Sequence, residues 1–257
     1  MEVRTVPPSA RLAPFVRVFE VVEAREETTR TLLPETGIVA GLRYRGAAAL
    51  VEGAAARAVP GASVTGVRGT IRRMRTSAGG GILVAKFREG GAAPFFDVPL
   101  HQLFGETLPL DALAPRAEVE RVSARIAEAA GDRERVALLE DFLLARWRPR
   151  QPDRIVAAAL GALQARRGTV RIGDVARSLG LGQDALEKRF RRAVGASPKR
   201  LASLLRLRDA VAVHLRGASL SSVPYQAGYF DQSHFVREFR AATGEAPRRF
   251  FGAGDYC

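Results

Sequence analysis

The chain has 257 residues, 47% of them apolar, a single cysteine and a formal net charge of +13. That is core material for one large domain or two of ordinary size, and the lone Cys257 excludes an internal disulfide and a cysteine-built zinc site. No run of about 18 apolar residues occurs, and the N-terminus lacks a basic start followed by an apolar stretch, so neither a spanning helix nor a secretory leader is expected and a cytoplasmic setting is.

The charge is uneven. Residues 150–257 carry 19 Lys+Arg against 9 Asp+Glu, a net of +10, while residues 1–149 carry 21 against 18, a net of +3. A basic segment beside a nearly neutral one points to a polyanionic partner for the basic part. Only Lys86, Lys188 and Lys199 are lysines. The remaining cations are arginines, which present a planar fork to phosphates and to guanine edges.

Up to about residue 98 the chain reads as β-rich. "FVRVFEVVEA", "TRTLLP", "GIVAGLRYRG", "AALVEG", "ASVTGVRG" and "GILVAKF" are short apolar or alternating runs. Gly and Pro punctuate them about every ten residues, the spacing of a barrel or sandwich. "SAGGG" ahead of "ILVAKF" is a turn entering a strand, since a phosphate loop needs a following helix and a Gly-Lys-Ser/Thr ending. "APFF", Pro94 to Phe96, fills the core in preference to lining a pocket. "PLHQLFGETLPLDAL" reads as a short helix and a connector.

Glu118 to Ala130 is amphipathic, with Val119, Val122, Ile126 and Ala129 on one face. After a turn at Gly131-Asp132, Val136, Leu139, Phe142 and Leu143 recur at helical spacing up to Trp147. "RPRQPD", Arg148 to Asp153, is a charged, Pro-containing break and the expected boundary between domains 1–148 and 149–257. Beyond it the spacing predicts helices at about 153–167, 171–179, 183–194, 199–216, 221–227 and 232–243, with a tail helix after Pro247. Glycines 168, 180, 195, 217, 228 and 244 fall between them, where left-handed helix ends are wanted. The fold class is α+β.

The helical part writes one phrase twice. In "IGDVARSLGLGQDALEKRF", Val175 and Leu179 point inward, Gly180-Leu181-Gly182 turns with Leu181 buried, and Leu186 and Phe190 point inward. The second copy has Val223 and Ala227, the turn Gly228-Tyr229-Phe230, then Phe235 and Phe239. Each is two short helices joined by a glycine turn, a helix-turn-helix. Each is followed by Gly, Pro and two basic residues, in "GASPKRL" and "GEAPRRF". The helix between them, Lys199 to Arg216, would span about 27 Å, close to the roughly 34 Å of one DNA turn that separates paired reading helices. With the inward stripes so placed, Asp184, Glu187, Lys188 and Arg191 face out from the first reading helix. Gln232, Ser233 and Arg237 face out from the second, with His234 at the margin. Asp231 is placed to cap that helix.

This arrangement resembles the DNA-binding domain of AraC/XylS-type transcriptional regulators. The matching residues include "DVARSLGLGQDALEKRF" with "GASP", "LLRLRDAVAVHL" and "AGYFDQSHFVREFRAATGEAPRRF", over residues 153–252. One departure is Pro224, where such regulators usually have Ala. With Ser221 as N-cap, Pro224 falls in a first turn that tolerates a missing N–H, and a short or slightly displaced helix is expected there. The resemblance implies base contacts from Asp184, Glu187 and Lys188 and from Gln232, Ser233 and Arg237, with His234 beside them. Lys or Arg reads guanine, Gln reads adenine, and an acid accepts from cytosine. Phosphate contacts are expected from Arg191, Arg192, Lys199, Arg200, Arg240, Arg248 and Arg249.

The front part matches more loosely. "LLPETG", "GVRGTIRRMR" and "ILVAKFREGGAAPFFDVPLHQL" resemble front domains of a subset of these regulators, which bind a small effector or dimerise. The partners expected are double-stranded DNA, a small effector, RNA polymerase and a second copy of the chain, with no membrane. There is no catalytic constellation, metal-ligand spacing or dinucleotide fingerprint, so no cofactor or metal is expected. His214 reads as a structural histidine, His101 as unremarkable, and the effector-binding residues are unassigned. Two other classes stay open: an enzyme carrying this DNA-binding domain, such as an alkyl-transfer repair protein of the Ada kind, and a non-specific architectural binder.

Overall fold

The computed structural model describes residues 1–149, 151 and 153–253. Cys257, and Arg150 and Pro152 of the expected linker, lie outside the described residues.

The front part folds as two antiparallel sheets. The strands are β1 (Glu2–Val6), β2 (Val16–Glu23), β3 (Thr28–Leu32), β4 (Val39–Arg45), β5 (Ala48–Glu52), β6 (Ala55–Ala58), β7 (Ala62–Thr65), β8 (Arg72–Thr76), β9 (Gly81–Phe87) and β10 (Thr107–Pro109). A six-stranded sheet runs β1-β2-β9-β4-β7-β10, and a four-stranded sheet runs β3-β8-β5-β6. The expected apolar runs all became strands. β1, β6, β8 and β10 were not expected: "RRMRT" has a single apolar residue and "AARA" only alanines, which are poor strand formers; they are held by pairing with neighbours.

The period of two in each strand divides the large sheet between two tasks. One cross-strand row, Phe19–Ala85–Ala40–Val64, is buried. It joins the core with α1 (Arg116–Glu128) and α2 (Asp132–Arg146) through Val119, Val122, Ile126, Val136, Leu139, Phe142 and Leu143. Phe95 and Phe96 lie in that core beside Phe87, as expected. The adjacent rows, Glu20–Val84–Gly41–Ser63 and Lys86–Val39–Thr65–Thr107, face the small sheet across a cavity. The molecule is thus layered helices, sheet, cavity, sheet. The connector "PLHQLFGETLPLDAL" forms two 3-10 turns, Leu100–Leu103 and Leu110–Ala112, with β10 between them.

The helices that follow are α3 (Arg154–Ala165), α4 (Ile172–Ser178), α5 (Gln183–Val194), α6 (Pro198–Leu215), α7 (Val223–Gln226), α8 (Gln232–Thr243) and α9 (Pro247–Ala253). Their ends follow from the sequence. The Asp153 carboxylate accepts from the amides of Ile155 and Val156, the Ser197 hydroxyl from that of Arg200 ahead of α6, and the Asp231 carboxylate from that of His234 at 2.6 Å. All six expected glycines have positive φ. The scaffold helix of the second unit differs from expectation. Its N-cap is Ser222, not Ser221, and α7 is only four residues long with Pro224 in its first turn. The hydroxyl of Ser222 donates back to the Ser219 carbonyl and caps nothing.

α6 carries two separate cores. Leu201 and Ala202 join Val156, Leu163, Val175, Leu186 and Phe190. Leu207, Ala210, Val211 and Val213 join Val223, Tyr229, Phe235, Phe239 and Phe250. Leu181 in the first turn is partly buried, less than expected, whereas Tyr229 in the second is buried. The fixed point between α3 and α6 is Gly168, with φ 79°. A Cβ there would overlap the Ala202 carbonyl, and the Gly168 carbonyl accepts from the Arg206 Nη1 at 2.6 Å.

Gly168→Ala combines a left-handed backbone, costing about 1–2 kcal/mol, with an overlap against backbone. Chemical denaturation is expected to show a loss of at least about 2 kcal/mol. An unchanged midpoint would mean that α3 and α6 do not need this close approach.

Candidate nucleic-acid interface and ligand cavity

The two expected reading helices occupy their expected residues, and each turns a polar face away from its core. On α5, Leu186, Phe190 and Val194 are buried, while Asp184, Lys188, Arg191 and Arg192 are exposed and Glu187 is half-buried. On α8, Phe235 and Phe239 are buried, and Gln232, Ser233, Arg237 and Arg240 are exposed. Lys199, Arg248 and Arg249 are also exposed, Arg249 lying 3.8 Å from Glu245.

Two expected residues are engaged inside the protein. His234 is half-buried, edge-on to the Tyr229 ring, with Nε2 3.5 Å from the Glu238 carboxylate. Glu238 also accepts from Arg206 at 2.9 and 3.0 Å and from the Ser203 hydroxyl at 2.9 Å, so α6 and α8 are locked by charge as well as by packing. Arg200 stays exposed, but its guanidinium packs on Gly69 of the front part. His214 is structural, as expected: its Nδ1 lies 3.1 Å from the Ala218 carbonyl and its ring sits on Phe251.

Sequence reasoning missed three features. Phe230, immediately before the Asp231 cap, is 89% exposed; the extra residue in the second turn was the available signal. His101, on the 3-10 turn Leu100–Leu103, shares a cleft with Asp184, Glu187, Lys188 and Arg191. The front part therefore stands beside the outward face of α5, a non-local contact that no local pattern encodes. The third feature is the cavity.

The cavity lies between the two sheets and measures about 160 Å³, comparable with an apolar cavity that admits a small aromatic molecule. Its walls are apolar, with Val22, Leu32, Val39, Leu50, Ile82 and Val84 among them. Its charged lining comprises Glu20, Glu35, Arg30, Arg68, Arg72 and Lys86. Lys86 pairs with Glu20 at 2.8 Å and Glu35 at 3.0 Å. Arg72 donates to the Thr107 hydroxyl and the Gly105 carbonyl. Arg68 is buried and its Nη1 has no hydrogen-bond partner. Burial first, then repulsion from Arg72, pulls its pKa down to about 10.

Glu35 joins this cavity to α6. Its carboxylate receives Arg17 at 2.5 Å and Lys86 from the front part and Arg208 of α6 at 2.6 Å. Burial alone would raise its pKa, but Arg208, Lys86 and Arg17 together outweigh burial and hold it at about 2. Apolar contacts continue the junction. Ala196 and Leu204 belong to the front core, and Leu33 and Ile71 pack on the core of the second unit. The Ile71 amide donates to the Ala242 carbonyl near the end of α8 at 2.9 Å.

Residues 175–253 match the family model described as a helix-turn-helix domain, and residues 4–109 match a domain of unknown function, DUF6597. No curated protein matches the chain. Among solved structures, ToxT from Vibrio cholerae is similar at 13% identity, covering 91% of this chain and 97% of that one with a TM-score of 0.48. The C-terminal domain of AraT, a response regulator from Geobacillus stearothermophilus, aligns at 21% identity over 41% of this chain and 88% of that one, TM-score 0.37. A DNA-binding transcriptional dual regulator from Escherichia coli K-12 aligns at 21% over 40% and 99%, TM-score 0.34. Among the described residues no group of His, Cys, Asp and Glu could hold a metal ion, and no helix is long and apolar enough to cross a membrane.

Because the folded pKa of Glu35 lies below its unfolded value, its stabilisation is complete above about pH 4.5 and is lost as pH falls toward 2. The amount is about 3 kcal/mol. Glu35→Gln is expected to be less stable at pH 7 and to lose less on acidification than the parent. Parallel stability-against-pH curves for the two would show that the cluster does not carry this energy.

Proposed function

We propose that this chain, whose C-terminal part matches a helix-turn-helix domain, is a sequence-specific transcription regulator of the AraC type whose front domain answers to a small ligand. In this reading residues 1–148 sense and residues 149–257 bind duplex DNA, with RNA polymerase as the partner through which binding reaches transcription. The observation that carries it is the pairing of two reading helices, each with a polar outward face, on the single helix α6. At 18 residues α6 spans about 27 Å, which suits two heads in neighbouring turns of one duplex.

The roles follow from side-chain chemistry. Lys188 and Arg237 read guanine edges, Gln232 reads adenine, and Asp184 or Glu187 accepts from cytosine N4. Ser233 serves either purine or pyrimidine. Arg191, Arg192, Lys199, Arg240, Arg248 and Arg249 meet phosphates and set register. Arg200 joins them on release from Gly69, and His234 acts by holding Glu238 and the start of α8. Phe230, projecting ahead of that helix, suits the methyl group of a thymine beside the bases read by Gln232. His101 beside the outward face of α5 makes the placement of the front domain a determinant of how fully the first head enters the groove.

Selection of bound sequences from random DNA by the full chain tests the reading. The expected result is a site with two elements about ten base pairs apart; recovery of no motif, with affinity that collapses steeply with salt, would favour the architectural class. Alkylation of Cys257 is expected to leave site binding unchanged, whereas an alkyl-transfer protein would lose its activity. On the selected site, Lys188→Ala and Arg237→Ala are each expected to cost about 1–3 kcal/mol and to relax preference at one base position. Equal losses on random DNA would reassign them to phosphates. Phe230→Ser is expected to weaken only sites bearing the matching thymine.

A further inference from the structure

The proposed sensing role leaves the ligand's chemistry open, and the cavity narrows it. A buried cation without a partner is costly, and a buried polar atom left unsatisfied calls for an explanation. Arg68 is 7% exposed, its Nη1 bonds to nothing, and among the described residues it makes no ion pair. The acids lining the cavity make no hydrogen bond or ion pair to it: Glu35 acts on it only through space, and Glu20 and Glu35 are already engaged by Lys86, and Glu35 by Arg17 and Arg208 as well. Arg68 therefore stands in the cavity wall as a buried cation whose Nη1 the protein leaves unanswered. The rest of the wall is aliphatic, with Val22, Val39, Ile82 and Val84 only partly buried although they sit between two sheets.

We propose that this cavity takes an amphipathic organic anion, its acidic head received by the guanidinium fork of Arg68 and its apolar body laid along the aliphatic rows of the large sheet. Arg is the residue suited to such a head, since its parallel donors engage two oxygens at once. The proposal rests on the reading of the front domain as a sensor, and it adds a route. Arg68 lies on a short segment between β7 and β8 whose next residue, Gly69, supports the Arg200 guanidinium and whose Ile71 donates to Ala242 of α8. One side of that segment faces the ligand and the other faces both halves of the DNA-binding domain. A head drawn onto Arg68 therefore repositions the residues against which α6 and α8 are seated.

The test uses the full chain and two fluorescent probes of similar body, anilinonaphthalene sulfonate and the uncharged N-phenyl-1-naphthylamine. The sulfonate is expected to bind one site per chain at least tenfold tighter than the neutral probe, and to change affinity for the selected DNA. Arg68→Met is expected to lose that tenfold preference and the effect on DNA while binding the neutral probe within twofold of the parent; Arg68→Lys keeps part of both. Val84→Trp, which fills the cavity, abolishes binding of both probes. Without ligand, Arg68→Met is expected to raise Tm, because it removes an unanswered buried charge; a merely structural arginine would lower it. Sulfonate bound equally well by Arg68→Met, or no tighter than the neutral probe, overturns the anion while leaving the sensor standing. Failure of both probes to bind the cavity overturns both.

Discussion

A carboxylate withdrawn from water stays charged only if cations surround it, and Glu35 is so placed that its three cations come from different parts of the chain. Arg17 and Lys86 belong to the front sheet, and Arg208 belongs to α6. Removing any one leaves the others facing a less well compensated charge, so the seating of the front part on α6 and the geometry of the cavity wall are one electrostatic problem. Apolar contacts alone would permit sliding between the two parts. The ion cluster fixes a register, because its distances tolerate little displacement before the desolvated charge is exposed to its own cost.

The same helix imposes the second constraint. α6 supplies Leu201 and Ala202 to one core and Leu207, Ala210, Val211 and Val213 to the other. Its polar residues are spent on ties as well: Asp209 pairs with Arg167 and Arg206 with Glu238. Each reading helix is thereby anchored to a common rod rather than to its partner. The relative placement of the two heads is set by the interior of a single secondary element, which is the stiffest connection a chain of this size can offer.

Much of this was legible in the sequence, and the part that was legible is the part governed by local rules. Helix ends follow from Asp153, Ser197 and Asp231 and from glycines at left-handed positions, and those were read directly. The strands with clear alternation were read, whereas β6 and β8 were missed because their residues are chosen for cavity, solvent and pairing rather than for a core. Ser221 was expected to cap α7, but Ser222 stands at the N-cap position and both hydroxyls turn back to Ser219, so the helix has no side-chain cap. The outward faces of α5 and α8 emerged from the inward stripe, but the engagement of His234 with Tyr229 and Glu238, and of Arg200 with Gly69, did not. Those contacts join residues far apart in the chain, as do Arg68, Glu35 and the cavity itself.

The division of the large sheet by strand parity has a consequence for divergence. Positions such as Phe19, Val64 and Ala85 hold the helical layer and tolerate little change, while their immediate neighbours Ser63 and Val84 line the cavity. Substitution at alternate positions can therefore reshape the cavity without renegotiating how the protein folds. A lineage carrying this scaffold can change the lining of that space one strand neighbour at a time while the helical layer and the cores on α6 stay as they are.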